Sequence, residues 1–322
     1  MPPEPLAGSF SDPALGHPAF DPALLTDEVV VPRDASTLIV VRGGGTAEPV
    51  PKGDRGVPAP AGAGRWGPLE VLLLRKTIKA EFAGGAHVFP GGSVDEADRN
   101  PEMARLCAGR DDADASVQLG IESGGLAFWI AAVRECFEEA GILLAYGPGG
   151  ELVSMSDPSV ARRFHVYRDE VNRDPQAFSR ICAEEGLRVA ADRIHYFSHR
   201  ITPVGAPRRY DTRFFVVEAP AGQTALNDGS ETVENIWITP EDALGRSLAG
   251  TMALVYPTIK SLEAIGRFGS AAEAIAAARA IEEIPASIPR IAVDGREVRI
   301  LLPGDAGYEE VEGSMFRPDP AP

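Results

Sequence analysis

Three glutamates lie close together in residues 134–142, which read RECFEEAGI, in a chain whose net charge is −16. On a helix these three would lie opposite an apolar stripe made of Trp129, Val133, Cys136 and Ala140. Like charges on a hydrated helix cost only roughly 0.3 kcal/mol each, so a solvated acidic face is one interpretation. Carboxylates one turn apart also supply the oxygen ligands that Mg²⁺ prefers, so a divalent cation is the other interpretation.

A glycine turn precedes these acids in the sequence. Residues 89–92 read FPGG, and paired glycines allow backbone positions that are closed to other residues. A tight turn with exposed backbone amides, placed beside an acidic helix, would let phosphate oxygens approach. The turn and the glutamates together therefore favour a phosphate site.

Both segments resemble parts of the Nudix hydrolase signature. Residues 134–142 are similar to its second half, R-E-U-x-E-E-x-G-U, where U is aliphatic. Residues 92–98, GSVDEAD, are similar to its first half, G-x5-E, with Asp98 in place of glutamate. The usual signature has seven residues between that acid and the arginine, whereas 35 separate Asp98 from Arg134, an excess of 28.

The interrupted signature resembles one branch of that family, which is related to the peroxisomal coenzyme A diphosphatases of animals. That branch also has segments similar to GAHVFPGG, residues 85–92, and to ITPVGAPRRYDTRFF, residues 201–215. The resemblance implies an α/β (α+β) fold, namely a Nudix-type α/β/α sandwich with a mixed β-sheet. It also implies an insertion within the signature and a C-terminal helical and hairpin extension.

The activity that the resemblance implies is metal-dependent hydrolysis of a diphosphate linkage, with Mg²⁺ or Mn²⁺ as cofactor. Its substrate would be coenzyme A or an acyl-coenzyme A, cleaved to 3′,5′-ADP and (acyl-)phosphopantetheine. The alternative substrates are other nucleoside diphosphate derivatives, such as dinucleotides, ADP-ribose or nucleotide sugars. A third alternative is a non-catalytic ligand-binding module, which would usually lack the glutamates found here.

Site roles follow from the same resemblance. The expected metal ligands are Glu138, Glu139, Glu135 and the backbone of Gly91, and Glu135 is also a candidate base. Arg134 is expected to hold a carboxylate in position, and Gly92 to line the turn beside the phosphate. A further carboxylate is expected from Glu231 or Glu234, with two solvated loop acids as the alternative.

The strongly acidic balance argues against nucleic acid or an anionic membrane as the partner. An anionic substrate then needs a metal or a local basic patch, and a 3′-phosphate would suit several cations. The candidates are Arg75, Lys76, His87, Arg208, Arg209 and Arg213. The motif that coenzyme A-cleaving members carry before FPGG is matched at Leu72, Leu73 and Gly85, but not at Leu74, Lys76, Thr77 and Glu81. Arg213 could instead be a structural ion-pair partner, and His87 could stabilise the turn.

Three parts of the chain are predicted: an extended arm over 1–32, a Nudix domain over 33–248 with an insertion at 99–125, and an extension over 249–322. Strands are predicted at 36–42, 69–76, 193–201, 211–219 and 231–239, and a hairpin at 290–302. Helices are predicted at 126–140, 158–171, 175–185, 240–248, 251–266 and 270–283, the first of them ended by Gly141.

The insertion interrupts the signature between two parts of the expected site, so it is expected to cap the substrate pocket. The C-terminal extension is a candidate pocket wall or homodimer contact. Three widely spaced cysteines predict neither a zinc site nor a disulfide, and the first residues lack signal-peptide character, so a cytoplasmic location is expected.

Overall fold

The computed structural model describes residues 30–44, 67–78, 80, 83–294 and 297–311. Most of the predicted arm and of the loop at 43–67 lies outside these residues. The strands are β1 (Arg33–Gly44), β2 (Gly67–Lys76), β3 (His87–Val88), β4 (Gly91–Ser93), β5 (Ala145–Tyr146), β6 (Arg188–Val189), β7 (His195–Ile201), β8 (Tyr210–Glu218), β9 (Thr232–Ile238), β10 (Ala286–Ser287), β11 (Arg290–Asp294) and β12 (Glu297–Leu301). The helices are α1 (Pro101–Arg105), α2 (Asp112–Leu119), α3 (Leu126–Ala140), α4 (Pro158–Arg173), α5 (Ala177–Glu184), α6 (Pro240–Leu248), α7 (Tyr256–Ile265) and α8 (Ala271–Arg279).

An eight-stranded mixed sheet has β1 near its centre, with the order β10-β7-β8-β1-β2-β3. β1 runs parallel to β8 and antiparallel to β2. β4 also pairs with β1, while β3 and β9 pair with β2. The FPGG turn therefore connects a strand on β2 to a strand on β1.

Helices cover both faces of this sheet. Successive residues of a strand point to opposite faces, so β1 and β2 contribute to two separate hydrophobic clusters. Leu38 and Leu72 pack in one cluster with apolar residues of α3, α4 and α5. Ile39 and Leu73 pack in the other with residues of α6, α7 and α8. The predicted α/β/α sandwich is confirmed.

The insertion forms part of the core. It follows a 3₁₀ turn at Glu96–Arg99 and contains α1 and α2. Met103 and Leu119 are buried in the cluster that contains α3. The carboxylate of Asp112 accepts hydrogen bonds from the backbone N–H groups of Gly124 and Leu126 at 2.9 and 3.0 Å. The insertion thus supports the amino-terminal end of α3, and its role as a cap of the substrate pocket stays a prediction.

Removing this support is expected to destabilise the fold. Asp112→Ala leaves two N–H groups at the start of α3 without their acceptor, so the free energy of unfolding should fall by about 1–2 kcal/mol. Urea denaturation followed by circular dichroism measures it. Asp114→Ala is the control, because Asp114 lies on the same helix with an exposed side chain. Equal stability of both variants would contradict the role given to Asp112.

The carboxyl-terminal elements divide into two groups. α7 and α8 pack on the second face of the sheet, and α7 begins at Tyr256, so the predicted start at residue 251 was wrong. Residues before it are extended, since the N–H of His87 donates to the carbonyl of Ala253 at 2.8 Å. β11 and β12 form the predicted hairpin, and its turn at residues 295–296 lies outside the described residues. In the part of the chain that is described, no helix is long and apolar enough to cross a bilayer.

Candidate active site

The glutamates of α3 do not form a solvated face. Thirteen of the fifteen residues of this helix are buried, including Arg134 and Glu139. The side chains of Glu135 and Glu138 are each only 14% exposed, and that of Glu139 is 4% exposed. Charged side chains are rarely so buried unless something compensates them. The interpretation as an indifferent hydrated surface is therefore wrong.

Arg134 joins the two halves of the interrupted signature. Its Nε and Nη2 atoms donate to the two oxygens of Asp98, each at 2.8 Å, which is a bidentate pair. Its Nη1 atom donates to Oε1 of Glu135 at 3.0 Å and to Oε1 of Glu138 at 2.9 Å. One buried guanidinium thus orients three carboxylates, and aspartate at position 98 is long enough to reach it.

Lys76 joins the remaining acids. This last residue of β2 is buried, and its Nζ atom donates to Glu139 and, at 2.6 Å, to Oε1 of Glu231. The other oxygen of Glu139 accepts from the backbone N–H of Gly91 at 2.9 Å. Glu139 is therefore held between β2 and the FPGG turn. Asp98, Glu135, Glu138, Glu139 and Glu231 are called the acid cluster below.

Close approach explains the glycines of the turn. A Cβ atom on Gly92 would lie 2.5 Å from Oε1 of Glu135, and one on Gly91 would lie 2.4 Å from the carbonyl oxygen of Ser36. Real Cβ contacts are never that short, so both positions admit only glycine without rearrangement. The turn packs directly on α3, as the resemblance implied.

Two cations, Arg134 and Lys76, accompany the five carboxylates of the acid cluster. Burial raises the pKa of Glu135 to about 8, an effect that Arg134 opposes and that Glu139 reinforces. Burial also raises the pKa values of Glu138 and Glu139. For Lys76, burial lowers the pKa, but Glu139 and Glu231 outweigh it and the net shift is upward. The cluster is thus short of positive charge.

This charge deficit and the hard oxygen donors fit a divalent cation. The carboxylate oxygens are at present turned towards Arg134 and Lys76, and no three His, Cys, Asp or Glu side chains of the described residues are already arranged around one ion. Both oxygens of Glu139 are engaged, by Lys76 and by the backbone N–H of Gly91, whereas Arg134 engages only one oxygen each of Glu135 and Glu138. Glu135 and Glu138 could hold an ion at the end of the cluster nearest Arg134.

The structure separates Glu231 from Glu234. Glu234 forms a 2.7 Å ion pair with Arg75, and the β2–β9 register aligns these two residues. Arg75 is also aligned with His87 of β3. By the alternation of β2, these side chains lie on the face of Leu73, which is opposite to α3. Arg75, His87 and Glu234 are therefore on the other face of the sheet from the α3 acids, and their predicted place in the site stays a prediction.

The surroundings of His87 can be compared with its two predicted roles. It is buried, its Nδ1 atom has no hydrogen-bond partner among the described residues, and burial lowers its pKa. Its backbone N–H pairs with Ala253 rather than with the FPGG turn. Neither predicted role, phosphate contact or stabilisation of the turn through its side chain, is visible in these contacts.

The other candidate cations are dispersed as well. Arg209 is buried and donates to the carbonyl oxygens of Thr202 and Val30, so it anchors the chain before β1. Arg213 is buried with Asp211 and His199 and lies over the ring of Phe128, which matches the ion-pair alternative. Arg208 is exposed in the loop between β7 and β8. The contacts of Arg209 and Arg213 named here do not include a residue of the acid cluster.

Two residues that the sequence analysis missed hold the cluster in place. Asp228 accepts from the N–H groups of Thr232 and Glu231 at 2.7 and 3.0 Å. Although burial raises its pKa, hydrogen bonds led by that of Ser230 bring it to about 2. The Asn-Asp-Gly-Ser run before Glu231 was a turn signal that could have revealed this loop. Arg168 donates to the carbonyl of Glu138 at 2.8 Å, and nothing in its local sequence indicated that contact.

Comparison with known proteins agrees with this geometry. The sequence model of a family described as the NUDT19 Nudix domain matches residues 121–263. The human acyl-coenzyme A diphosphatase NUDT19 is 29% identical over 313 residues, covering 86% of this chain and 80% of the relative. The chicken (Gallus gallus) protein of the same name is 29% identical over 278 residues, covering 75% and 73%. A crystal structure of a NUDIX hydrolase from Alicyclobacillus acidocaldarius superposes with a TM-score of 0.58 at 25% identity, covering 77% of this chain and 96% of that one.

The mixed sheet between helical layers is a Nudix-type fold, and the Nudix-domain model and the acyl-coenzyme A diphosphatase relatives indicate a hydrolase that acts on a diphosphate bond. These similarities relate the chain to the Nudix family and, within it, to the coenzyme A diphosphatases.

Proposed function

We propose that this chain hydrolyses the diphosphate linkage of coenzyme A or of an acyl-coenzyme A, in a reaction that depends on Mg²⁺ or Mn²⁺. The products would be 3′,5′-ADP and (acyl-)phosphopantetheine. The observation that carries the proposal is the packing of Gly91 and Gly92 against Glu139 and Glu135, which puts the glycine turn directly beside the buried acids. The substrate class rests on the names of the relatives, which act on acyl-coenzyme A.

A divalent cation would supply the positive charge that the acid cluster lacks. When bound, such an ion neutralises phosphate charge and acidifies the attacking water. Glu135 and Glu138 are our choice of residues to hold it, because only their Oε1 atoms are engaged by Arg134. Arg134 keeps both carboxylates on the same side of α3 and itself stays bound to Asp98.

The reaction joins the oxygen of water to one phosphorus and breaks the bridging P–O bond, whose electron pair leaves with the other phosphate. The proton of the attacking water must pass to a base. Glu135 is our choice for that role, because its carboxylate occupies the space that a side chain on Gly92 would fill, at the turn where phosphate oxygens would approach. The turn contributes backbone atoms and excludes side chains from this space.

One observation favours a second candidate function. A 3′-phosphate calls for several cations beside the nucleotide, yet Arg75, Arg209 and Arg213 are each engaged elsewhere in the fold. A nucleoside diphosphate without that phosphate, such as ADP-ribose or a dinucleotide, needs no such patch. These compounds are the alternative substrates.

A hydrolysis screen tests both candidates. Purified protein is incubated with coenzyme A, acetyl-coenzyme A, dephospho-coenzyme A, ADP-ribose, NADH or diadenosine polyphosphates, with Mg²⁺, with Mn²⁺ or with EDTA, and products are identified by mass. We expect metal-dependent release of 3′,5′-ADP and a kcat/KM about 10-fold or more higher for coenzyme A than for dephospho-coenzyme A, since a charged pair is worth more than about 1.4 kcal/mol. Faster cleavage of ADP-ribose or a dinucleotide supports the second candidate. Turnover in EDTA equal to that with metal would refute metal dependence.

A further inference from the structure

Lys76 is the second buried cation that contacts the acid cluster. It contacts two acids that Arg134 does not. Its side chain is 9% exposed. Its Nζ atom contacts Glu139 of α3 and Glu231, which precedes β9. Two carboxylates from distant parts of the chain therefore share one cation, as they would share a bridging metal ion.

The glutamates of α3 differ in how many of their oxygens accept hydrogen bonds. Both oxygens of Glu139 accept hydrogen bonds, one from Lys76 and one from the backbone N–H of Gly91. Glu135 and Glu138 each accept only through Oε1, from Arg134. Within the described residues their Oε2 atoms accept no hydrogen bond. Oxygens that are free to bind an ion thus lie at Glu135 and Glu138.

We infer that the ammonium group of Lys76 takes the place of a divalent cation between Glu139 and Glu231, so that the site binds metal only through its Glu135–Glu138 half. A fixed positive charge at that point satisfies both carboxylates and repels a second ion. The inference rests on the proposed metal-dependent hydrolysis. It adds that no metal ion binds between Glu139 and Glu231 in the wild-type chain.

Counting bound Mn²⁺ in a charge-deleted variant tests this inference. Lys76→Met keeps an unbranched side chain of similar length and removes the charge. Titration of the full chain with Mn²⁺, with the free ion measured by electron paramagnetic resonance, should give one more bound Mn²⁺ per chain for this variant than for the wild type. An unchanged number would overturn the inference.

Three further variants identify the cause of any additional binding. Lys76→Arg keeps the charge and should bind the wild-type number of Mn²⁺ ions. Arg75→Met removes a neighbouring charge on the opposite face of the sheet and should also bind that number. Adding Glu231→Gln to Lys76→Met removes one of the two acids, so affinity for the additional ion should fall about 10-fold or more. An additional ion in Arg75→Met, or undiminished affinity in the double variant, would overturn the assignment to Lys76.

A melting experiment covers the case in which Lys76→Met folds poorly without metal. The rise in Tm between EDTA and Mn²⁺ should be larger in Lys76→Met than in the wild type, because the additional ion binds only the folded chain. An equal rise in the two proteins would overturn the inference. If instead the wild type neither binds Mn²⁺ nor cleaves any diphosphate, the proposed function itself fails.

Discussion

Glu138→Gln is expected to lower kcat about 100-fold or more while leaving Tm unchanged or slightly higher. The loss follows from removing one charged ligand of the ion that stabilises the transition state, which is worth several kcal/mol. Stability should not fall, because glutamine can still accept the hydrogen bond that Arg134 donates at 2.9 Å. Burial raises the pKa of Glu138, so its ionised form carries an electrostatic cost that the neutral amide does not.

The matched control for this prediction is Glu170→Gln. Glu170 is also a helical glutamate paired with an arginine, Arg180, but it lies on α4 outside the acid cluster. Its variant should retain wild-type kcat. Steady-state kinetics with saturating Mg²⁺, together with a thermal melt, measures both quantities. A kcat for Glu138→Gln within about threefold of the wild type would exclude Glu138 from the metal shell, since a lost ligand costs more than that.

Arg134→Met is expected to lower the free energy of unfolding more than the other substitutions do. It leaves Asp98, Glu135 and Glu138 buried without their common partner, and breaking a buried pair in this way costs about 3–5 kcal/mol. The cost depends on pH, because part of it falls on the ionised forms of Glu135 and Glu138, whose pKa values are raised by burial. It is therefore largest above pH 8, which is about the pKa of Glu135 in the folded protein, and shrinks as pH falls towards 4.5.

Denaturant unfolding at several pH values measures this difference between Arg134→Met and the wild type. Arg180→Met is the control, because Arg180 also contacts two glutamates, Glu170 and Glu184, but is exposed. It should behave like the wild type at every pH, as exposed ion pairs contribute little. A loss for Arg134→Met that did not vary with pH would mean that packing, not charge, accounts for it.

Local patterns predicted the helix of the site closely. α3 runs over the predicted residues 126–140, because its apolar stripe and the left-handed Gly141 that ends it are both local features. The predicted stripe of Trp129, Val133, Cys136 and Ala140 is fully buried. That the opposite face is also buried could not be predicted, since β2, β4 and the loop before β9 cover it from distant parts of the sequence.

Strand geometry explains why two candidate residues of the predicted basic patch lie apart. Arg75 and Lys76 are adjacent in sequence and were treated as one patch, but adjacent strand residues point to opposite faces. A register irregularity in the β2–β9 pairing falls between these same two residues. Glu231 contacts Lys76 on one side of this irregularity, and Glu234 pairs with Arg75 on the other side. Irregularities of this kind depend on the pairing of two strands and leave no mark in either sequence.

The long separation between Asp98 and Arg134 has a consequence for how the enzyme comes into being. α3 can form from interactions between near neighbours, but its arginine meets an aspartate 36 positions earlier only after α1 and α2 have been accommodated. Contacts between remote positions carry a larger loop-closure entropy and develop late in folding. Hydrolytic competence should therefore arise only after the segment between the two halves of the signature has folded, and not with the glutamate helix alone.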